Sequence, residues 1–260
     1  MASAAQSQGA DTLVLPAWSE ASLVHGFLGR TGWLGGEHVQ DFNLAYWLDG
    51  GPRAASENWR RWRERWPVVE PVCLNQVHGV KVMTVNQADD GRRVSADGCV
   101  TAAAGIALCI FTADCVPVLM VDVENHVAGA LHAGWRGALG NIAQEGIIAM
   151  ERLGARRERI QAALGPSIGL CCFEVDAALA EAFLRELPGN AEYVREGRTG
   201  KAYLDLRSII SQQLTDCGAD AARISAVGPC TKCKSGQYFS RRAAGGAITG
   251  LQMSFVGFSA

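Results

Sequence analysis

Three side chains able to bind a metal or attack a substrate stand where an apolar run meets a turn: His78 in NQVHG, Cys115 in TADCVP and His132 in HAGWRG. A strand end holds a side chain rigidly while the adjoining loop leaves it accessible, so these are favourable places for chemistry. Two histidines and a cysteine converging from such ends would ligate one zinc and leave its fourth position for water or substrate. The same residues suit nucleophilic catalysis, with Cys115 as thiolate, His132 as base and Asp114 or Asp97 as the orienting acid. Spacing leaves both readings open, and a single histidine is more often a satisfied buried group than a ligand.

The rest of HAGWRG adds a second feature. Gly134 to Gly137 lead into a helical pattern, so their amides and the helix N-terminus could receive an anion, with Arg136 supplying charge and a bidentate fork. A surface salt bridge accounts for Arg136 equally well. Cys109 sits inside an apolar run and reads as core. The pair CTKC, Cys230 and Cys233, offers half of a structural zinc site. No second half is evident nearby, and adjacent Cys171 and Cys172 have no standard spacing, which argues against such a site there.

The segment from Ile106 to Leu131 reads as three strands, Ile106 to Thr112, Val118 to Val123 and Val127 to Leu131. They are apolar throughout, as strands covered on both faces must be. Leu139, Ile142, Ala143, Ile147, Met150 and Leu153 then share one helical face, with Gly154 placed to stop the helix. Upstream, Ser56 is a cap candidate for a helix that repeats Trp59, Trp62 and Trp66. Such an arginine and tryptophan run could stack on bases, but packing of its tryptophans on a sheet is the favoured reading. Downstream come a strand IQAALG, helices from Asp176 to Leu187 and near DLRSIISQQLTDCG, and a closing strand LQMSFVGF. The expected organisation is a disordered tail over 1–11 and one α+β domain over 12–260 with mixed sheets.

Composition bounds the function. The chain has 260 residues, 48% of them apolar, and a formal net charge of −2, so it can bury a large core and has no electrostatic reason to favour nucleic acid or an anionic membrane. The expected partner is a small molecule, and no protein partner is indicated. Nine cysteines are an odd number in a chain that is not short, and the start lacks a basic segment followed by an apolar core. The thiols are therefore expected to be reduced and the protein cytoplasmic. No apolar stretch reaches the roughly twenty residues of a spanning helix.

Six ordered blocks, NQVHG, ADG, TADCVP, HAGWRG, GPSIGLCCFEV and CTKC…YFSRR, resemble the YfiH-type family, also called the multicopper polyphenol oxidase or laccase-domain family. Its members include purine nucleoside phosphorylases and a peptidoglycan editing factor. The resemblance implies a central mixed β-sandwich flanked by helices in αββα layers, and a zinc held by His78, Cys115 and His132. It implies phosphorolysis of adenosine, inosine and methylthioadenosine, together with adenosine deamination. Asp97, and after it Asp114, is then the candidate carboxylate that moves protons. Gln76 of NQVHG, Arg30 and Asn43 of the looser GRTGWLGG…FNL match, and Arg136 are the implied substrate-binding residues. Phosphate would lie against Arg136 or Arg30. Two other activities are compatible with the family: amide cleavage in peptidoglycan precursors, and copper-dependent phenol oxidation. Five histidines are few for a coupled copper oxidase.

Overall fold

The computed structural model describes residues 6–7, 12–34, 37–45, 51–88, 94–187 and 191–260. The chain begins with β1 (Gln6–Ser7), β2 (Thr12–Val14), β3 (Leu23–Leu28), β4 (Gly32–Leu34), β5 (Glu37–Val39) and α1 (Gly51–Arg65). It continues through β6 (Glu70–Cys73), β7 (Val82–Thr84), β8 (Gly98–Thr101), β9 (Ile106–Thr112), β10 (Val116–Asp122) and β11 (Val127–Ala133). Then follow α2 (Trp135–Leu139), α3 (Ile142–Glu151), β12 (Gln161–Leu164), β13 (Glu174–Asp176) and α4 (Ala177–Glu186). The last elements are β14 (Val194–Glu196), β15 (Lys201–Leu204), α5 (Leu206–Asp216), β16 (Ile224–Ala226) and β17 (Gln252–Phe258). Gln6–Ser7, inside the expected tail, pair with Val14 and Leu13, whereas 1–5 and 8–11 lie outside the described residues.

Two six-stranded mixed sheets carry the fold, one in the order β1-β2-β3-β17-β9-β6 and the other β16-β12-β10-β11-β8-β7. Their facing sides meet in a dry layer where Phe27, Leu108, Ile110 and Val256 of the first pack on Leu119, Val121, Ala130 and Ala163 of the second. The outer face of the second sheet is covered by α3 and α5 through Ile147, Met150, Ile210 and Leu214. The outer face of the first receives α1, whose Trp59 and Trp62 join Phe111, Met253 and Phe255. Covering on both sides explains why every residue of β9, β10 and β11 is buried. The αββα layering expected from the family resemblance is present in this single-domain α+β fold.

Trp59 and Trp62 of α1 are buried against the sheet, with the Trp62 and Phe255 rings 5.4 Å apart edge to face, as the packing reading expects. Ser56 is not the cap, because α1 begins at Gly51 and Ser56 falls inside it. The long helix expected after HAGWRG is broken. Asn141 takes the left-handed conformation (φ 59°) and its Oδ1 accepts from the Gln144 amide, starting α3 afresh. Buried Gln213 of α5 donates to the Ala138 carbonyl at the end of α2, which also accepts from the Asn141 amide, and so ties α5 to the break. Gly154, at φ +97°, turns the chain out of α3 as expected.

Among the buried titratable groups away from the site is a histidine. His25 on β3 accepts a hydrogen bond at Nε2 from the Leu15 amide, which suits the neutral ring, and burial brings its pKa down to about 4. The unfolded chain takes up this proton near pH 6.5 and the folded chain only near pH 4. Stability is therefore lost as pH falls through that window, by a total of about 3 kcal/mol, and the loss levels off below it. Urea unfolding across this range is expected to show a smaller loss for His25→Gln, which can still accept from Leu15. An equal loss in both proteins would remove His25 as its source.

Candidate metal centre and active site

The second sheet delivers the site from its end. His132 is the penultimate residue of β11, Cys115 immediately precedes β10, and the two strands pair in register with Val116 opposite Ala133. His78 comes from the loop between β6 and β7. The donor atoms of His78, Cys115 and His132 all lie within 4.8 Å of one another, and the two imidazoles meet edge to face with centroids 4.7 Å apart. His132 is buried, Cys115 half-buried and His78 exposed, so the cluster is rooted in the core and open on its His78 side.

Asp97 organises this cluster. It is fully buried just before β8, and its Oδ1 accepts from the His78 amide at 2.8 Å and faces His132 Nδ1 at 2.8 Å. Its Oδ2 accepts from the amides of Gly79 at 2.6 Å and Val77 at 3.2 Å. Burial opposes the Asp97 charge, but the His132 hydrogen bond and the Gly79 and His78 amides outweigh it and hold the carboxyl below its ordinary range. With Nδ1 committed to Asp97, Nε2 is the His132 nitrogen left for a metal, the carboxylate–histidine arrangement usual behind metal ligands.

Burial likewise disfavours charge on Cys115 and His132, but their mutual attraction prevails. The Cys115 thiol is drawn down to about 6, helped by His78, and the His132 imidazole is pushed up to about 9, helped by Asp97. A thiolate facing an imidazolium is a pair whose shared proton a metal ion can replace. Backbone strain marks the same place, since His78 (φ 61°) and Asp114 (φ 96°) both hold positive φ.

The glycines of HAGWRG serve close approach. A Cβ on Gly134 would stand 3.0 Å from Cys115 Sγ and 3.2 Å from His78 Cδ2, and one on Gly137 would stand 3.2 Å from the Gly79 carbonyl. These positions let the α2 turn close against the His78 loop. The expected anion cradle loses its basis, because α2 has only five residues and its short dipole contributes little field. Gly134→Ala is expected to displace Cys115 or His78 by a few tenths of an ångström and weaken metal retention about tenfold, read by chelator competition. Unchanged retention would show that the ligands do not depend on this contact.

The other expected site residues are dispersed. Asp114 adjoins Cys115, but its carboxylate accepts from Thr231 Oγ1 and from the Arg242 amide, both at 2.7 Å, and fastens the C-terminal segment. Gln76 pairs both ends of its amide with the Phe111 backbone, at 2.7 and 2.8 Å, and so ties the His78 loop to β9. Arg30 pairs with Asp41 at 2.6 Å and lies over Phe239, while Asn43 Oδ1 accepts from the Ala45 and Leu251 amides. Arg136 is exposed, its guanidinium 4.2 Å from the Trp135 ring centre. Sequence reasoning overlooked Gly79 and Thr231. It also left unjoined four thiols, Cys171, Cys172, Cys230 and Cys233, that the fold brings together. Doublet CC and CTKC were the available signals, each lacking the partner that only tertiary structure supplies.

This architecture is shared with known proteins. The crystal structure of YlmD from Geobacillus stearothermophilus superposes with a TM-score of 0.89 at 29% identity, covering 98% of this chain and 99% of that one. "Adenosine deaminase RL5", from an unknown prokaryotic organism, is 42% identical over 67% of this chain and 70% of its own length. A "purine nucleoside phosphorylase" of Deinococcus radiodurans is 37% identical over 90% of this chain and 88% of its own. Residues 24–259 match the family described as multi-copper polyphenol oxidoreductase laccase. With nearly its whole folded length accounted for, the chain belongs to this YfiH or laccase-domain family of enzymes.

Proposed function

We propose that His78, Cys115 and His132 hold one zinc ion and that the enzyme acts on purine nucleosides. It would cleave adenosine, inosine and methylthioadenosine with phosphate, giving the base and ribose 1-phosphate or its 5-methylthio form, and would deaminate adenosine to inosine. The observation that carries this reading is the convergence of three donors with Asp97 behind His132. A Cys–His nucleophile would need no second histidine, whereas a metal site gains its third donor from His78. The printed names of the relatives supply the substrate class.

A zinc ion so held is a Lewis acid that activates water and polarises a leaving group. The chain's own part is to fix the donors. Asp97 sets the His132 tautomer and, through three amides, the His78 loop, so it acts here as a positioning residue with both oxygens engaged. Cys115 contributes a ready thiolate. Arg136, four residues beyond His132 and exposed, is the candidate to meet phosphate, with Arg30 the alternative.

A copper reading draws on one observation, since two histidines and a cysteine also suit copper. Chelated protein reloaded with zinc or with copper and offered adenosine or a phenol separates the two. Adenosine turnover restored by zinc supports the nucleoside enzyme. Phenol oxidation restored by copper alone overturns it.

A further inference from the structure

Outside this centre, the described residues hold one other group of metal-binding donors. Cys171 and Cys172 lie on the turn between β12 and β13, and Cys230 and Cys233 on the turn after β16. Their four sulfurs lie within 4.8 Å of one another. We propose that Cys171, Cys172, Cys230 and Cys233 form a second metal centre that holds Zn2+ through four thiolates and pins the segment behind Cys115.

Sulfur spacing is the first argument. Cys233 Sγ stands 3.5 Å from Cys172 Sγ and 3.6 Å from Cys171 Sγ. Four sulfurs placed tetrahedrally at the usual Zn–S distance of about 2.3 Å are separated by about 3.8 Å. A disulfide requires about 2.05 Å and one partner. Cys233 is nearly equidistant from two thiols, which suits a shared central ion. All-sulfur donors exclude magnesium and calcium and suit zinc or iron, and of these zinc is the ion of a closed structural site that needs no redox role. Zinc binding changes no oxidation state, since each thiol that is still protonated releases its proton to solvent.

Surroundings supply the second. The Gly169 amide donates to Cys230 Sγ at 3.3 Å, stabilising negative sulfur. Four thiolates around a divalent ion leave excess negative charge. Lys232 and Lys234 stand on the same turn, and Arg242 Nη1 reaches the carbonyls of Cys172 and Glu174 at 3.5 and 2.8 Å. Cys171 and Cys233 are exposed, as are both lysines, so little apolar burial holds these turns together.

Connection to the first centre gives the staple a purpose. Thr231, between Cys230 and Cys233, donates its amide to the Ser167 carbonyl at 3.0 Å and its hydroxyl to Asp114 beside Cys115. Fixing the CTKC turn therefore fixes the residue that holds the strained backbone preceding Cys115.

The test uses the full chain carrying Cys115→Ala, which removes the first centre's only thiolate. After dialysis in reducing buffer it is expected to retain about one zinc per chain, and exchange into cobalt to give tetrahedral visible bands with strong sulfur-to-cobalt charge transfer. Adding Cys230→Ser should lower the retained zinc and weaken that charge transfer, and an unchanged metal content and spectrum would overturn the proposal. If this second variant does not fold, the zinc content and cobalt spectrum of Cys115→Ala alone decide. Absence of metal, iron in place of zinc, or a disulfide among these cysteines in the intact mass of native protein would each overturn the proposal.

Discussion

Cys115→Ala is expected to empty the first metal centre and lower purine nucleoside turnover by about a thousandfold or more, with the fold retained. Cys115 is half-buried and its sulfur faces the two histidines, so trimming it to a methyl group leaves only a small void and takes away the single anionic donor. A catalytic Cys115 nucleophile would also lose activity, so the companion variant is decisive. His78→Ala removes an exposed side chain that a Cys115–His132 dyad does not require. Loss of metal and turnover in both variants is the result for a three-ligand site. Full turnover in His78→Ala would return Cys115 to the role of nucleophile.

Asp97→Asn has the next largest effect. Four donors converge on the Asp97 carboxylate, and an amide of the same shape offers them one oxygen and one NH2 group. At least one buried donor then faces another donor, at a cost on the order of 3 kcal/mol in stability. Freed from its partner, His132 is expected to bind zinc about ten- to a hundredfold more weakly. Chelator competition and urea unfolding measure both quantities. Unchanged metal affinity and stability with only inosine formation lowered would contradict the positioning role and make Asp97 the group that moves protons.

Much of this was legible in the residues. Unbroken apolar runs gave β9 to within its observed ends, and their burial on both faces followed from the absence of alternation. His78, Cys115 and His132 stood out because reactive side chains interrupt runs that core packing alone would keep apolar. The break between α2 and α3 was masked, because the apolar spacing of Leu139, Ile142 and Ala143 runs on across Gly140 and Asn141, the residues that end one helix and start the next. Residues that pair across long separations were equally hidden. Asp114 reads as an acid beside a cysteine, and only the fold brings Thr231 and Arg242 to it. Gln76 reads as a substrate contact, and only the parallel pairing of β6 with β9 sets it against Phe111.

The measurement that bears most directly on the account is product analysis of adenosine incubated with zinc-quantified enzyme, with and without phosphate. Phosphate-dependent adenine and ribose 1-phosphate, with inosine formed independently of phosphate, is the expected result. Neither product from zinc-loaded enzyme would contradict a purine nucleoside enzyme and point the same centre toward amide cleavage in peptidoglycan precursors.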